Sequence, residues 1–127
     1  MRSDLARAKD RAWKYFSQYI RLRDQKCVTC GSIKNPQAGH FWHNVLDFDE
    51  ENINQQCSFC NKYKSGNLAV YSIYLINKLG TIKFKALDIR HTKAIGGEKR
   101  SVEDYEKIIK ETKDKIREIE TKRLHSL

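Results

Sequence analysis

Apolar residues recur at three- and four-residue steps toward both ends of the chain and lose that rhythm in the middle. From Ser3 to about residue 23, Leu5, Ala8, Ala12, Phe16 and Tyr19/Ile20 share one face. That predicts an amphipathic helix with Ser3 as its N-cap. Trp13 and Tyr15 widen this face, whereas Arg7, Arg11, Lys14 and Arg21 lie mostly off it. From Ser101 to about Lys122, Tyr105, Ile109, Thr112, Ile116 and Ile119 alternate four and three residues apart, with Ser101 and Asp104 in capping-box positions. Such a narrow seam suits packing on the chain's own domain or on a second copy. Leu68, Tyr71, Leu75 and Leu79 predict a helix over 68–79 with Gly80 at its C′ position. Thr81 opens another to about His91, and 92–100 read as a connector.

The middle reads differently. Residues 32–37 form a turn, 38–43 a short strand, and 53–57 return as extended chain. A helix opens at Cys57 and is broken at Ser65-Gly66-Asn67. The sum is one α+β domain over 1–127, mostly helical. It divides into a basic helical arm (1–26), a core (27–67) and a helical region (68–127) with a possible dimer seam.

The core holds every cysteine, as two C-x-x-C pairs, Cys27/Cys30 and Cys57/Cys60, with 26 residues between them. Each pair supplies two thiolates from one turn, the pattern of a tetrahedral, closed, structural zinc site. A knuckle, a hairpin, then a helix starting at the second pair is the treble-clef plan, the zinc-stapled ββα-metal arrangement. The chain starts with charge inside its first four residues and shows no apolar leader, so the cytoplasm is the expected compartment. Thiols there bind metal more often than they oxidise. No apolar run is long enough to span a membrane.

Net charge is +9, and residues 1–26 carry eight basic groups against three acids. A polyanion, by default nucleic acid, is the implied partner, though solvated helix faces would give the same count. Asp47, Asp49, Glu50 and Glu51 read as a solvated acidic turn. Asn54, Gln55 and Gln56 read as satisfying backbone groups around the knuckle. His91 and His125 sit in exposed helical contexts, without a role.

His40, Asn52 and Asn61 are polar residues that zinc does not need. With Cys57, Cys60 and Lys64 they stand at the spacing His…Asn-x-x-x-x-Cys-x-x-Cys-Asn-x-x-Lys, which resembles the HNH endonucleases. Ala-Gly-His-Phe, Phe-Asp-Glu-Glu-Asn-Ile, Gln-Cys-Ser-Phe-Cys-Asn and Lys-Ser-Gly-Asn-Leu are similar to the phage Rap/NinG family of DNA-junction endonucleases, over about residues 10–120. The resemblance implies metal-dependent, structure-selective cleavage of branched DNA, such as Holliday junctions or D-loops; two symmetric nicks at a junction make a C2 homodimer the simplest machine for it. It implies His40 as general base, Asn52 bracing the loop and orienting the histidine, and Asn61 as an oxygen ligand of Mg²⁺ or Mn²⁺ at a helix N-terminus. Many HNH enzymes place a second metal ligand where this chain has Gly39. His40 itself, His43, Asp47 or Asp49 could replace it, and if His40 binds metal then His43 becomes the base. Arg7, Arg11, Lys14, Arg21, Lys62 and Lys64 are the expected DNA contacts. The other readings are a zinc-stapled DNA- or RNA-binding module without catalysis, and a structural or assembly protein.

Overall fold

A computed structural model describes residues 2–126. Helix α1 spans Asp4–Asp24, and the Ser3 hydroxyl accepts from the Ala6 N–H as expected of its cap. Strands β1, Pro36–His40, and β2, Ile53–Cys57, pair antiparallel, with His40 opposite Ile53 and Pro36 opposite Cys57. A single π-helical turn, Phe59–Tyr63, follows. Helix α2 spans Leu68–Ala94 and α3 spans Val102–His125.

The helices follow the apolar rhythm closely. Gly80 breaks α2 at φ 78 and ψ 166, so the two predicted helices are the two limbs of one bent element. The second limb runs on to Ala94, which shortens the connector. The capping box forms in full: Ser101 accepts from Asp104 N–H, and the Asp104 carboxylate accepts from Ser101 N–H. Strand β1 begins two residues earlier than predicted and ends at His40. Proline is tolerated at the first position of an edge strand. Pairing ends after the Phe41 N–H reaches the Asn52 carbonyl, because the next amide, Trp42 N–H, bonds the Asn52 side chain instead.

The seam on α3 is spent inside the chain. Tyr105 and Ile109 pack on Ala8 and Ala12, and Ile116 packs with Phe16, Tyr19, Ile20 and Ile53. The α3 seam is therefore α1's partner rather than a free dimer face. Fully buried Ile20 and Ile53 each contribute about 1.5–3 kcal/mol by leaving water. On the far side of the hairpin, Tyr71, Leu75 and Leu87 of α2 pack on Phe41 and Leu46 of the loop after β1. The hairpin is thus held between the α1/α3 pair and α2.

The acidic loop is not a solvated turn. Arg90 of α2 binds Asp49 and Glu51, both at 2.8 Å. Glu50 accepts from Tyr19 of α1 and Lys115 of α3. Burial and Glu50 push Tyr19 up to about 12, so its hydroxyl keeps the proton it donates. One short loop thereby ties three helices to the hairpin.

Candidate functional site

Two sites grow from the hairpin. At its root the four cysteines are free thiols whose sulfurs all lie within 4.8 Å of one another. Cys30 Sγ and Cys57 Sγ are 3.6 Å apart. A tetrahedron with metal–sulfur bonds of about 2.3 Å has sulfur–sulfur edges of about 3.8 Å, so the set fits a zinc-sized ion. The first knuckle is closed by Gly31 N–H to the Cys27 carbonyl and by Cys27 N–H to the Ser32 carbonyl, both 2.8 Å. Val28 N–H ties it to the Gln55 carbonyl of β2.

The electrostatics agree with a cation site. At Cys27, burial opposes ionisation, but the Thr29 hydroxyl and backbone N–H groups outweigh it and bring the thiol down to about 6. At Cys30 the Ser32 amide favours the thiolate, yet burial and the three neighbouring sulfurs push it up to about 12. Four thiolates this close need positive charge among them. Among the described residues, this is the one group of three or more His, Cys, Asp or Glu side chains close enough to share an ion.

The second site is a cavity of about 320 Å³ lined by Ala38, His40, His43, Asn44, Asp47 and Asn61. His40 ends β1, with Nε2 2.9 Å from Asp47 Oδ1. The Trp13 ring of α1 stacks on its imidazole at 5.4 Å and 22°. The bond from His40 holds the Asp47 carboxyl below the usual carboxylate range. Burial pushes the other way, and Lys9 and Arg100 add to the lowering. Asn61 stands on the π-helical turn, its Nδ2 donating to Gln37 Oε1 at 2.8 Å. That turn has five residues, too short to act as the expected helix N-terminus for a phosphate.

Asn52 does half of what was expected. Fully buried, it accepts from Trp42 N–H at 2.8 Å and donates toward the carbonyls of Trp42, Val45 and Leu46. It braces the loop that carries His43, but it makes no bond to His40. Asp47 orients that ring instead. Asn52 is the last loop residue before β2, and its side chain turns into the loop, whereas the loop curls Asp47 back over the end of β1.

Gly39 has a local reason. A Cβ there would lie 2.2 Å from Gln56 Oε1. Gln56 cannot swing aside freely: it is fully buried, and its Nε2 donates to the Gly66 carbonyl at 2.7 Å. No side chain at position 39 can supply a ligand without displacing it. Gly66, at φ +91, leaves only 2.9 Å between such a Cβ and His43 Nε2, so it also admits the His43 ring. Gln56 braces backbone through Nε2 as expected and Asn54 binds Arg23 and Tyr71, but Oε1 of both Gln55 and Gln56 is buried without a hydrogen-bond partner among the described residues. His91 is not exposed: its ring stacks on Trp42 at 3.8 Å and 5°.

Of the basic residues, Lys62 and Lys64 are exposed on or just after the π-helical turn. Arg7 is exposed but engaged with Asp4 and the Arg2 carbonyl, and Arg21 is exposed near the end of α1. Arg11 lines a groove of about 340 Å³ with Lys110, Lys113 and Arg117 of α3. Lys14 lies over the Tyr15 ring from one side, and Lys113 approaches it at 4.7 Å. The α3 share of this basic groove went unpredicted; Lys110, Lys113 and Arg117 lie at helical steps off the apolar seam, and that periodicity was the available signal.

These features define an α-rich α+β protein with a two-stranded hairpin, a convergent four-cysteine cluster and a separate histidine-bearing cavity. A family model described as Bacteriophage Lambda NinG protein matches residues 3–122, and the chain belongs to this NinG family of phage proteins. It is 39% identical over 79 residues to Protein ninG of Escherichia phage 933W, covering 58% of this chain and 39% of that protein. It is 39% identical over 77 residues to Protein ninG of Salmonella phage P22, covering 56% and 38%. With Protein ninG of Escherichia phage lambda it shares 31% identity over 109 residues, 81% of this chain and 52% of the relative. The chain thus spans about half or less of the length of these relatives. No solved structure matches it. Among the described residues, no helix is long and apolar enough to cross a membrane.

Proposed function

We propose that this chain is a metal-dependent, structure-selective DNA endonuclease that cuts branched DNA, built on a zinc-stapled treble-clef core of the HNH kind. The observation that carries this reading is the His40–Asp47 pair opening onto a cavity shared with His43 and Asn61. A carboxylate only accepts, so the Asp47 bond places the imidazole proton on Nε2 and leaves the Nδ1 lone pair free. His40 Nδ1 can then take a proton from a water attacking the phosphodiester, while Trp13 fixes the plane of the ring. Asp47 stabilises the imidazolium that results and returns it to the same tautomer, the role a buried carboxylate has in other histidine pairs.

The cavity's donors suit a hard divalent cation loosely. Asn61 Oδ1 and His43 would hold Mg²⁺ or Mn²⁺ with waters completing its shell, since Asp47 is committed to His40. Bound there, such an ion would neutralise charge on the phosphate and leaving oxygen. Lys62, Lys64 and the groove of Arg11, Lys110, Lys113 and Arg117, with Arg7, Lys14 and Arg21 elsewhere on α1, would hold the flanking backbone. Two symmetric nicks at a junction favour a C2 homodimer, whose contact must lie outside the α3 seam.

The basic groove alone would equally serve a non-catalytic binder of DNA or RNA, and a cleavage comparison separates the two readings. In Mg²⁺ or Mn²⁺ the wild type should nick a synthetic four-way junction. His40→Ala should lose roughly 10²–10⁴-fold in rate with junction affinity intact. If neither protein cuts any branched, nicked or duplex DNA while both bind, the binder reading stands and the enzyme reading falls.

A further inference from the structure

The π-helical turn presents two aromatic rings to solvent. Phe59 is 56% exposed and Tyr63 is 82% exposed, with their centroids 5.8 Å apart. Lys64 Nζ lies 5.6 Å from the Phe59 centroid, and Lys62 is exposed between the rings in sequence. The same turn carries Asn61 on the cavity wall, so both rings stand within two residues of the proposed cutting site. Ser58 N–H, which precedes the turn, bonds the Asn35 carbonyl at 3.0 Å. This brings the loop of exposed Ile33 and Lys34 to the foot of the turn.

Nothing in the fold needs these rings outside. The three apolar clusters are built without Phe59 or Tyr63. The chain segments that carry them have charge of one sign: no acid occurs between Asp24 and Asp47, or between Glu51 and Asp88. A protein partner's apolar face would need no such lysine fringe, whereas stacked bases carry a phosphate at every step. Aromatic rings ringed by lysines are the construction that holds single-stranded nucleic acid, with bases on the rings and phosphates on the ammonium groups.

We infer that Phe59 and Tyr63, fringed by Lys62 and Lys64, form a stacking platform for unpaired nucleotides of DNA beside the His40 cavity. Resting on the nuclease reading for its setting, the platform gives that reading a cause of structure selectivity. Bases inside a continuous duplex have no free faces to offer, and a branch point or flap does. The chain would therefore recognise a branch by its exposed bases rather than by its sequence.

Anisotropy titrations with two labelled DNAs, a flush duplex and the same duplex ending in a single-stranded flap, test this in Ca²⁺ to suppress cutting. The wild type should prefer the flap DNA. Phe59→Ala and Tyr63→Ala should each lose roughly 5- to 150-fold in affinity for it with duplex affinity unchanged. Both side chains are exposed, so thermal melts should match the wild type. Lys62→Ala/Lys64→Ala should instead weaken both DNAs alike and flatten the salt dependence. Equal loss on both DNAs from the aromatic changes, or no loss from either of them, overturns the platform. So does a shift in hydrodynamic size without a change in affinity, which assigns the rings to a protein contact. Flap preference in Ca²⁺ with no cleavage once Mg²⁺ or Mn²⁺ replaces it leaves the platform standing and removes the enzyme reading; cleavage in Mg²⁺ or Mn²⁺ with the aromatic changes silent removes only the platform.

Discussion

The sulfur cluster and the His40 cavity share one hairpin and are opposite kinds of site. The cysteines converge until their sulfurs nearly touch, three of the four are buried, and backbone amides support them. The cavity's donors stand apart around open space, and only His40 and Asp47 are joined. A site that holds shape closes on its ion, and a site that works on a substrate leaves room for it. Trp13 and Trp42 repeat the contrast. Each stacks on a histidine, but the Trp42–His91 stack is tight; among the described residues Trp42 Nε1 is buried without a hydrogen-bond partner, and His91 Nδ1 faces the Asp88 carboxylate only at 3.6 Å. The Trp13–His40 stack is looser and opens on a cavity.

The comparison is broken most severely at the sulfurs. Cys57→Ser, or removal of metal by a chelator, should unfold the core. Apparent binding free energies of structural zinc run to about 10–16 kcal/mol in small zinc modules, comparable with or larger than the roughly 5–15 kcal/mol that stabilises a domain. Far-ultraviolet circular dichroism should lose its cooperative melt, and zinc should restore it to the chelated wild type. His40→Ala should melt as the wild type does. A Cys57→Ser protein with an unchanged melting temperature would mean that packing alone holds the hairpin.

Asn52 sharpens the contrast, because it belongs to neither site and supports the loop of one. Asn52→Ala leaves the buried Trp42 amide and the carbonyls around it without their partner. A cost of about 2–4 kcal/mol in urea unfolding is expected, from more than one broken bond and a small void. Zinc content should stay at the wild-type level while junction cleavage falls. Loss of zinc together with cleavage would show that the two sites are one mechanical unit.

What the chain's letters disclose tracks the distance over which interactions act. The helices were legible because apolar periodicity and caps are local: Ser3 bonds Ala6, and Ser101 bonds Asp104. The cysteine cluster was legible because C-x-x-C is a local turn and sulfur chemistry leaves few alternatives. The loop at 47–51 was misread as solvated because its partners, Tyr19, Arg90 and Lys115, stand far off in sequence. Charge composition alone cannot distinguish a paired carboxylate from a wet one. The Asp47–His40 bond is hidden for a related reason: it depends on the curl of the loop, which Asn52 braces from its far end, and no local spacing records that curl.

The smallest effect expected is also the one that tests this loop. Burial raises the Glu50 carboxyl, but Lys115, Tyr19 and Arg23 outweigh it and hold it below the usual range. Asp47 is held low as well, first by the bond from His40. A carboxyl whose folded pKa is depressed contributes stability that is complete above its unfolded value, about 4, and is lost as pH falls through the folded value. The contribution of these two carboxyls to the melting temperature should therefore be level from neutrality to about pH 5 and fall below about pH 4. Glu50→Gln should cost under about 1 kcal/mol at neutral pH, because solvent screens the half-exposed pair with Lys115. It should also make the acid limb shallower, since one of the groups that must protonate is gone. The difference between variant and wild type should shrink as salt rises toward about 1 M. An acid limb as steep in Glu50→Gln as in the wild type would move the loop's acid sensitivity to Asp47 and its neighbours, and leave the α1–loop–α3 tie as packing rather than charge.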